Sequence, residues 1–254
     1  MIWRFINSGF NSGDYNMNFD ISLAENLEQD AAIFRLYRWI PYCISLGANQ
    51  DISSINKSKA DRDGIDVVKR PTGGRAILHS EELTYSVIYP VDGSFSPRQL
   101  YNEINSALKT GLTIYDPVFN DIELEKTQPD FGTFYNQKIS ELCFAVSAKS
   151  ELKFDGKKLA GSAQRKLDKS ILQHGSILCG DHHLKIVDYL DYSSEEIPSI
   201  KNEIAQSTID IKSIINHNAD YDFLADSLKA GMEKHFDMKF DDHTSFVENN
   251  MMTV

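Results

Sequence analysis

The sequence predicts an α+β fold, and three observations carry that expectation. Short runs rich in β-branched and aromatic residues alternate with polar, Gly- or Pro-bearing breaks. Other stretches place apolar residues at helical spacing, most clearly Pro97 to Leu112, where Leu100, Ile104, Ala107, Leu108 and Gly111 share one side. The 254 residues hold no internal repeat and no low-complexity segment, and 41% hydrophobic with 25% charged residues is ordinary for a globular enzyme. The chain reads as one domain over residues 1–254, with a helical C-terminal appendage from about 184 to 240.

In order, Ile2 to Asn7 reads as an opening strand, followed by a helix over Met17 to Gln29 with Met17, Ile21, Ala24 and Leu27 near helical spacing. Ala32 to Trp39 alternates as a strand with one mixed face, and Pro41 separates it from a further strand over Tyr42 to Leu46. Cys43 lies inside that apolar run as a small buried hydrophobe. Asp51 to Gly64 suits short helical turns. Asp66 to Pro90 is the stretch around which the chain is organised: Lys69, Arg70 and Arg75 surround a Gly73-Gly74 turn between β-like runs. Leu83, Tyr85, Val87 and Tyr89 fall on one face of the second run. Local physics leaves two readings of the turn open. It is either a solvated hairpin turn or a loop presenting backbone N–H groups to an anionic or carbonyl-bearing ligand.

Ser96 is placed to cap the helix that follows, and Asn120 to Lys138 is a polar connection. Asp155-Gly156 marks a hairpin through Lys153 to Leu159. The next strand, Leu159 to Ala163, has small residues, which wastes packing unless something lies against its backbone. Ser170 to Leu178 returns beside it, with His174 as a satisfied strand histidine and Cys179 as a structural thiol. Beyond Asp181, Leu184 to Leu190, Ile209 to Ile215 and Tyr221 to Phe236 read as helices, Ser193 to Ser207 is polar, and the last residues fray.

A net charge of -11 argues against nucleic acid as a general partner. No run of about 18 apolar residues is present to span a membrane, and the first residues lack a secretion signal. Three scattered cysteines form neither a disulfide framework nor a metal pattern, which points to a reducing, cytoplasmic setting and no metal site. Cys143 and Lys158, near a small-residue strand, suit acyl transfer: a thiolate attacks an activated acyl group while an ammonium steadies the charge.

Four ordered motifs now carry a resemblance. Lys69-Arg70-Pro71-Thr72-Gly73-Gly74-Arg75 through His79, then Glu82-Leu83-Thr84-Tyr85-Ser86, resembles the signature loop of the biotin/lipoate protein ligase superfamily. Gly156 to Gln164 and Leu172 to Ile177 resemble its lysine strand and partner strand, and Arg35 to Trp39 with Ser45 to Gln50 fit in order. The resemblance implies an α/β (α+β) fold whose mixed sheet bends around an acyl-binding cleft. It implies that Lys158 contacts the acyl carbonyl, and that Arg70, Thr72, Gly73, Gly74, Arg75, His79, Gly161, Ser162, Ala163 and His174 bind substrate.

Within that superfamily, Cys143-Phe144 with Ser147 and Glu151 is similar to the cysteine motif of octanoyltransferases, although Ser147-Ala148 stands for Pro-Ser and Ser150 for Tyr. The resemblance implies that an octanoyl or lipoyl group passes from an acyl carrier protein thioester through Cys143 to a lysine of a lipoyl domain. Such a domain belongs to the glycine cleavage H protein or a dehydrogenase E2 subunit. A thioester is already activated, so this route needs no cofactor. The alternative is a lipoate–protein ligase that adenylates the free acid with ATP and magnesium. A second alternative is a non-catalytic relative that binds lipoyl or carrier domains. The chain ends soon after its helical part, where many ligases carry an accessory domain, and basic residues between Lys149 and Lys169 would steer acidic carriers.

Overall fold

The computed structural model describes residues 1–125 and 151–241. It begins with a parallel β-α-β unit: β1 (Ile2–Asn11), α1 (Gly13–Glu25) and β2 (Ala31–Trp39), with β1 and β2 paired in parallel. The Ser12 side chain accepts from the Tyr15 N–H, so α1 starts four residues before its apolar pattern does. Phe19, Leu23 and Ala24 on α1 pack against Ile6, Ile33, Ile88 and Leu172, covering one face of the sheet.

The strands β3 (Cys43–Leu46), β4 (Asp66–Lys69) and β5 (Ile77–His79) form a small sheet in the order β4-β3-β5. β4 runs parallel to β3 and β5 antiparallel to it. The Gly-Gly stretch is therefore not a hairpin turn. It carries the chain across β3 from one edge to the other, because β3 takes the hydrogen bonds that a hairpin would have closed. Between β3 and β4 lie a short 3-10 turn (Ile52–Ser54) and α2 (Lys57–Arg62).

β6 (Glu82–Pro90) leaves the small sheet and enters the large one. Then come α3 (Pro97–Tyr115), whose Ser96 and Gln99 form a reciprocal capping box, and the short β7 (Glu123–Leu124). The sequence expectation for Asn120 to Lys138 falls partly here and otherwise outside the described residues. β8 (Leu152–Phe154) and β9 (Lys157–Lys158) turn at Asp155 and Gly156, whose φ values of 49° and 70° suit a two-residue hairpin. β10 (Ala160–Lys166) and β11 (Ser170–Leu178) form the next hairpin, extending the strand expected to end at Ala163.

Three helices follow a 3-10 segment: α4 (Ile197–Ser207), α5 (Ile211–Ile215) and α6 (Tyr221–Phe236). α4 lies in the stretch read as merely polar; Ile197, Ile200 and Ile204 form a narrow apolar stripe against Leu190 and Tyr189. α6 is appended in sequence yet shares the main core, where Leu224, Leu228 and Met232 meet Leu108 and Leu112 of α3. A Cβ on Gly231 would stand 2.3 Å from the Gly111 nitrogen, so both glycines serve the close approach of these helices.

β12 (Phe240–Asp241) completes a six-stranded mixed sheet in the order β10-β11-β6-β2-β1-β12. Helices cover both faces, so β2 is buried on both sides rather than carrying one mixed face. Arg35 consequently lies fully inside the protein. Among the described residues, no helix is long and apolar enough to cross a membrane.

Candidate active site

The large and small sheets meet around a cavity of about 30 Å³. One wall is the backbone of Gly161, Ser162 and Ala163 on β10, with Gly175 opposite on β11. A Cβ on Gly175 would lie 2.3 Å from the Gly161 carbonyl oxygen and 2.8 Å from the Tyr85 ring. The missing side chain at Gly175 thus admits the Gly161 carbonyl and the Tyr85 ring, which pack directly against the β11 backbone. Met17, Tyr37 and Trp39 close another side, and Ser45, Arg70, Ile77 and His79 come from the small sheet.

Buried polar chains frame this space. His79 stacks on the Trp39 indole with ring centroids 4.0 Å apart, and the indole donates to Thr84 Oγ1 at 2.7 Å. His79 Nδ1 lies 2.7 Å from Glu82 Oε1 and its Nε2 lies 2.8 Å from Ser45 Oγ. Thr84 and Ser176 hydroxyls also donate to Glu82 Oε1, at 2.6 and 2.7 Å. Burial pushes the Glu82 carboxyl up, but His79 and these hydroxyls outweigh it and hold the group below its ordinary value.

On the other side, Thr72 Oγ1 lies 2.6 Å from His174 Nε2, and His174 Nδ1 lies 3.5 Å from Asp20 Oδ2. Asp20 is fully buried, paired with Arg35 at 2.7 Å and bonded by the hydroxyls of Tyr37 and Ser86. Burial opposes its charge, yet Arg35 and its other partners keep the carboxyl below the usual range. Burial lowers the His174 pKa despite Asp20 beside it, so the ring is neutral at pH 7.

The third buried pair joins Lys158 Nζ to Glu151 Oε2 at 2.9 Å, each side chain 2% exposed. Glu151 Oε1 also accepts the Ser162 N–H at 3.1 Å, coupling the pair to the cavity wall. Ser162 Oγ in turn meets Tyr85 OH at 2.6 Å and Asn105 Oδ1 at 3.2 Å.

The model of the lipoyl protein ligase A/B catalytic domain matches residues 12–233, which includes every described site residue above. The chain belongs to that family. A Macrococcus caseolyticus protein named octanoyltransferase LipM is 32% identical over 244 residues, covering 93% of this chain and 88% of that one. The Bacillus subtilis protein of the same name is 31% identical over 244 residues, covering 91% and 85%. Among solved structures, a bipartite lipoate protein ligase from Thermoplasma acidophilum superposes with a TM-score of 0.76 at 17% identity. That superposition covers 99% of this chain and 91% of the other, a likeness of fold.

This lipoyl ligase-type domain thus brings Arg70, His79, Gly161, Ser162, Ala163 and His174 around one cavity. It does not bring the rest of the expected binding set there. Thr72 is fully buried, bonded to His174, while Gly73 and Gly74 are exposed. The reason is the crossing of β3, which turns the glycine pair outward. Arg75 lines a separate polar groove with Asn49, Gln50 and Glu196. Lys158 stands behind the wall with Glu151 rather than on the lining, and Cys143 lies outside the described residues. The basic stretch shrinks as well: Lys153 pairs with Glu125, and Arg165 donates to the Pro71 carbonyl at 2.8 Å.

Asp20, Ser45, Glu82 and Glu151 are among the polar site residues that sequence reasoning did not select. Asp20 had a signal, being a carboxylate on the buried side of a helix; Glu82 sits three residues after a histidine in a strand. These buried groups set a pH dependence. His174 and His183 titrate lower in the folded protein than the ordinary 6.5, because burial disfavours the imidazolium. The unfolded chain then binds more protons below pH 6.5, so stability falls as pH drops through that value. Glu82 and Asp20, held below 4.5 and 3.8, deepen the loss at lower pH. Urea melts at pH 7.5, 6 and 5 are expected to show a steadily falling midpoint, and a flat profile would refute the assignment.

Proposed function

We propose that this protein is an acyltransferase of lipoate assembly that moves an octanoyl group, from an acyl carrier protein thioester through Cys143, to the lysine of a lipoyl domain. The observation that carries the reading is the cavity against Gly161–Ala163, coupled through Ser162 and Glu151 to the buried Lys158. Glu151 is also the last residue of the cysteine motif, eight positions after Cys143. The pair therefore holds that last motif residue, Glu151, against the acyl wall.

The other two cysteines do not compete. Burial pushes the Cys43 thiol well above its usual value and the Cys179 thiol up to about 12, and a thiol that is not ionised is a poor nucleophile. The Cys143 thiolate attacks the octanoyl carbonyl, the bond to the carrier sulfur breaks, and the carrier leaves as its thiol after taking a proton. The neutral acceptor lysine amine then attacks the same carbonyl, its C–S bond to Cys143 breaks, the proton lost by the nitrogen returns to the Cys143 sulfur, and an amide remains. No adenylation is needed, so neither ATP nor magnesium enters, and the cytoplasm is where both protein partners would be met.

The test is an intact mass of the protein after incubation with octanoyl-carrier protein. A hydroxylamine-labile octanoyl adduct is expected, absent in Cys143→Ser. Pyrophosphate release from free lipoate and ATP, undiminished in that variant, would replace this reading with the ligase one.

A further inference from the structure

The Gly-Gly loop, Pro71 to Arg75, crosses the outside of β3, and Arg70 ties it down. The Arg70 guanidinium donates to the Gly73 carbonyl at 3.0 and 3.2 Å, to the Arg75 carbonyl at 2.7 Å and to the Ser45 carbonyl at 2.9 Å. It also donates to the Ser45 hydroxyl oxygen, at 3.1 Å. That hydroxyl begins a continuous chain of hydrogen-bonded groups.

Arg70 has only protons to give, so Ser45 Oγ accepts from it. An ionised Glu82 has only lone pairs, so the 2.7 Å contact puts a proton on His79 Nδ1. The other ring nitrogen, Nε2, lies 2.8 Å from Ser45 Oγ and links the imidazole to that hydroxyl. A guanidinium and a carboxylate thus face each other through one hydroxyl and one imidazole, and each link sets the orientation of the next. Trp39, stacked on His79, fixes the plane of the ring.

The carboxylate end is costly. Glu82 is fully buried, its Oε1 accepts from His79, Thr84 and Ser176, and its Oε2 is buried with no hydrogen-bond partner. A buried oxygen left without a donor costs stability that an apolar residue in its place would not. Ser45, Arg70, His79, Thr84 and Ser176 all line the acyl cavity, so the chain runs along its wall.

We propose that Glu82 is a positioning residue for acyl transfer: through His79 and Ser45 it orients Arg70, and so holds the Gly-Gly loop and one wall of the acyl cavity in register. His79 is then a link whose two ring nitrogens are both spent on protein groups, not a ligand of the acyl chain. The proposal rests on the acyltransferase reading for its turnover readout, but its binding readout is independent of that reading.

The experiment compares wild type, Glu82→Gln, Ser45→Ala and the double variant. Binding of S-octanoyl-pantetheine is followed by tryptophan fluorescence, and turnover by kcat and KM for octanoyl-carrier protein and for the lipoyl-domain acceptor. Each single variant is expected to weaken the acyl ligand about tenfold and to raise the donor KM by a similar factor. The acceptor KM is expected to stay unchanged. The double variant is expected to be no worse than the worse single, because both break one chain. Effects that multiply in the double variant, or wild-type acyl affinity with a lowered melting temperature alone, would overturn the proposal. Should Glu82→Gln not fold, wild-type affinity in Ser45→Ala overturns it unaided. A wild type that binds the acyl probe but forms no adduct would sink the acyltransferase reading and leave the binding comparison to decide this one.

Discussion

Lys158→Ala is expected to lose both transfer activity and a large part of the fold's stability. A lysine on a hairpin strand looks, from sequence, like a side chain whose truncation stops transfer yet leaves the fold intact. In the structure its ammonium sits 2.9 Å from Glu151, with both side chains 2% exposed. Removing one partner of a buried ion pair leaves the other charge in a poor solvent, which costs about 3–5 kcal/mol. For a chain of this size that lowers the melting temperature on the order of 10 °C. The activity loss is expected to be about a hundredfold or more, the scale for removing a group that stabilises developing negative charge. The two effects separate in the Lys158→Met, Glu151→Gln double variant. Its neutral amide can still accept the Ser162 N–H, so stability is expected to recover while transfer stays lost. Turnover restored along with stability would mean that the pair is only structural.

The parts of this protein that were legible in its sequence are the local ones. Asp155-Gly156 names its own turn, and Ser96 with Gln99 names its own helix start, because each device is complete within four residues. The small residues at Gly161 to Ala163 mark a wall from sequence alone, and they line the cavity. What was not legible depends on partners distant in the chain. Whether Asp20 is a solvated helix residue or a buried carboxylate is decided by Arg35, Tyr37 and Ser86, and Ser86 lies 66 positions away. Whether Gly73-Gly74 closes a hairpin is decided by β3, which takes both neighbouring strands as its own partners. Thr72 and His174, 102 positions apart, meet only because β11 runs beside that loop. α4 was missed for a different reason: its stripe is three isoleucines in an otherwise polar helix, too narrow to stand out from composition.

The same long-range dependence makes Gly47 the most sensitive small residue near the site. It follows β3 directly, and nothing in its own neighbourhood demands glycine. The demand comes from the loop: a Cβ on Gly47 would lie 2.0 Å from the Gly74 carbonyl oxygen and 2.8 Å from its carbon. Those are backbone atoms, so no rotamer change relieves the clash, and the loop itself must move. Gly74 has a φ of 94°, open to glycine and strained for other residues, so the loop has few alternative paths. Arg70 grips the neighbouring Gly73 and Arg75 carbonyls, and a displaced loop drags that guanidinium away from Ser45. Gly47→Ala is therefore expected to cost about 1–3 kcal/mol of stability, the range for overpacking. It is expected to cost about a hundredfold in kcat/KM, the scale for an ångström of misplacement at a reacting centre. Thermal unfolding alongside transfer kinetics measures both. A Gly47→Ala protein with full activity would show that the loop's position is irrelevant to the acyl group, whereas one that loses activity far beyond its stability loss places the loop's geometry inside the chemistry.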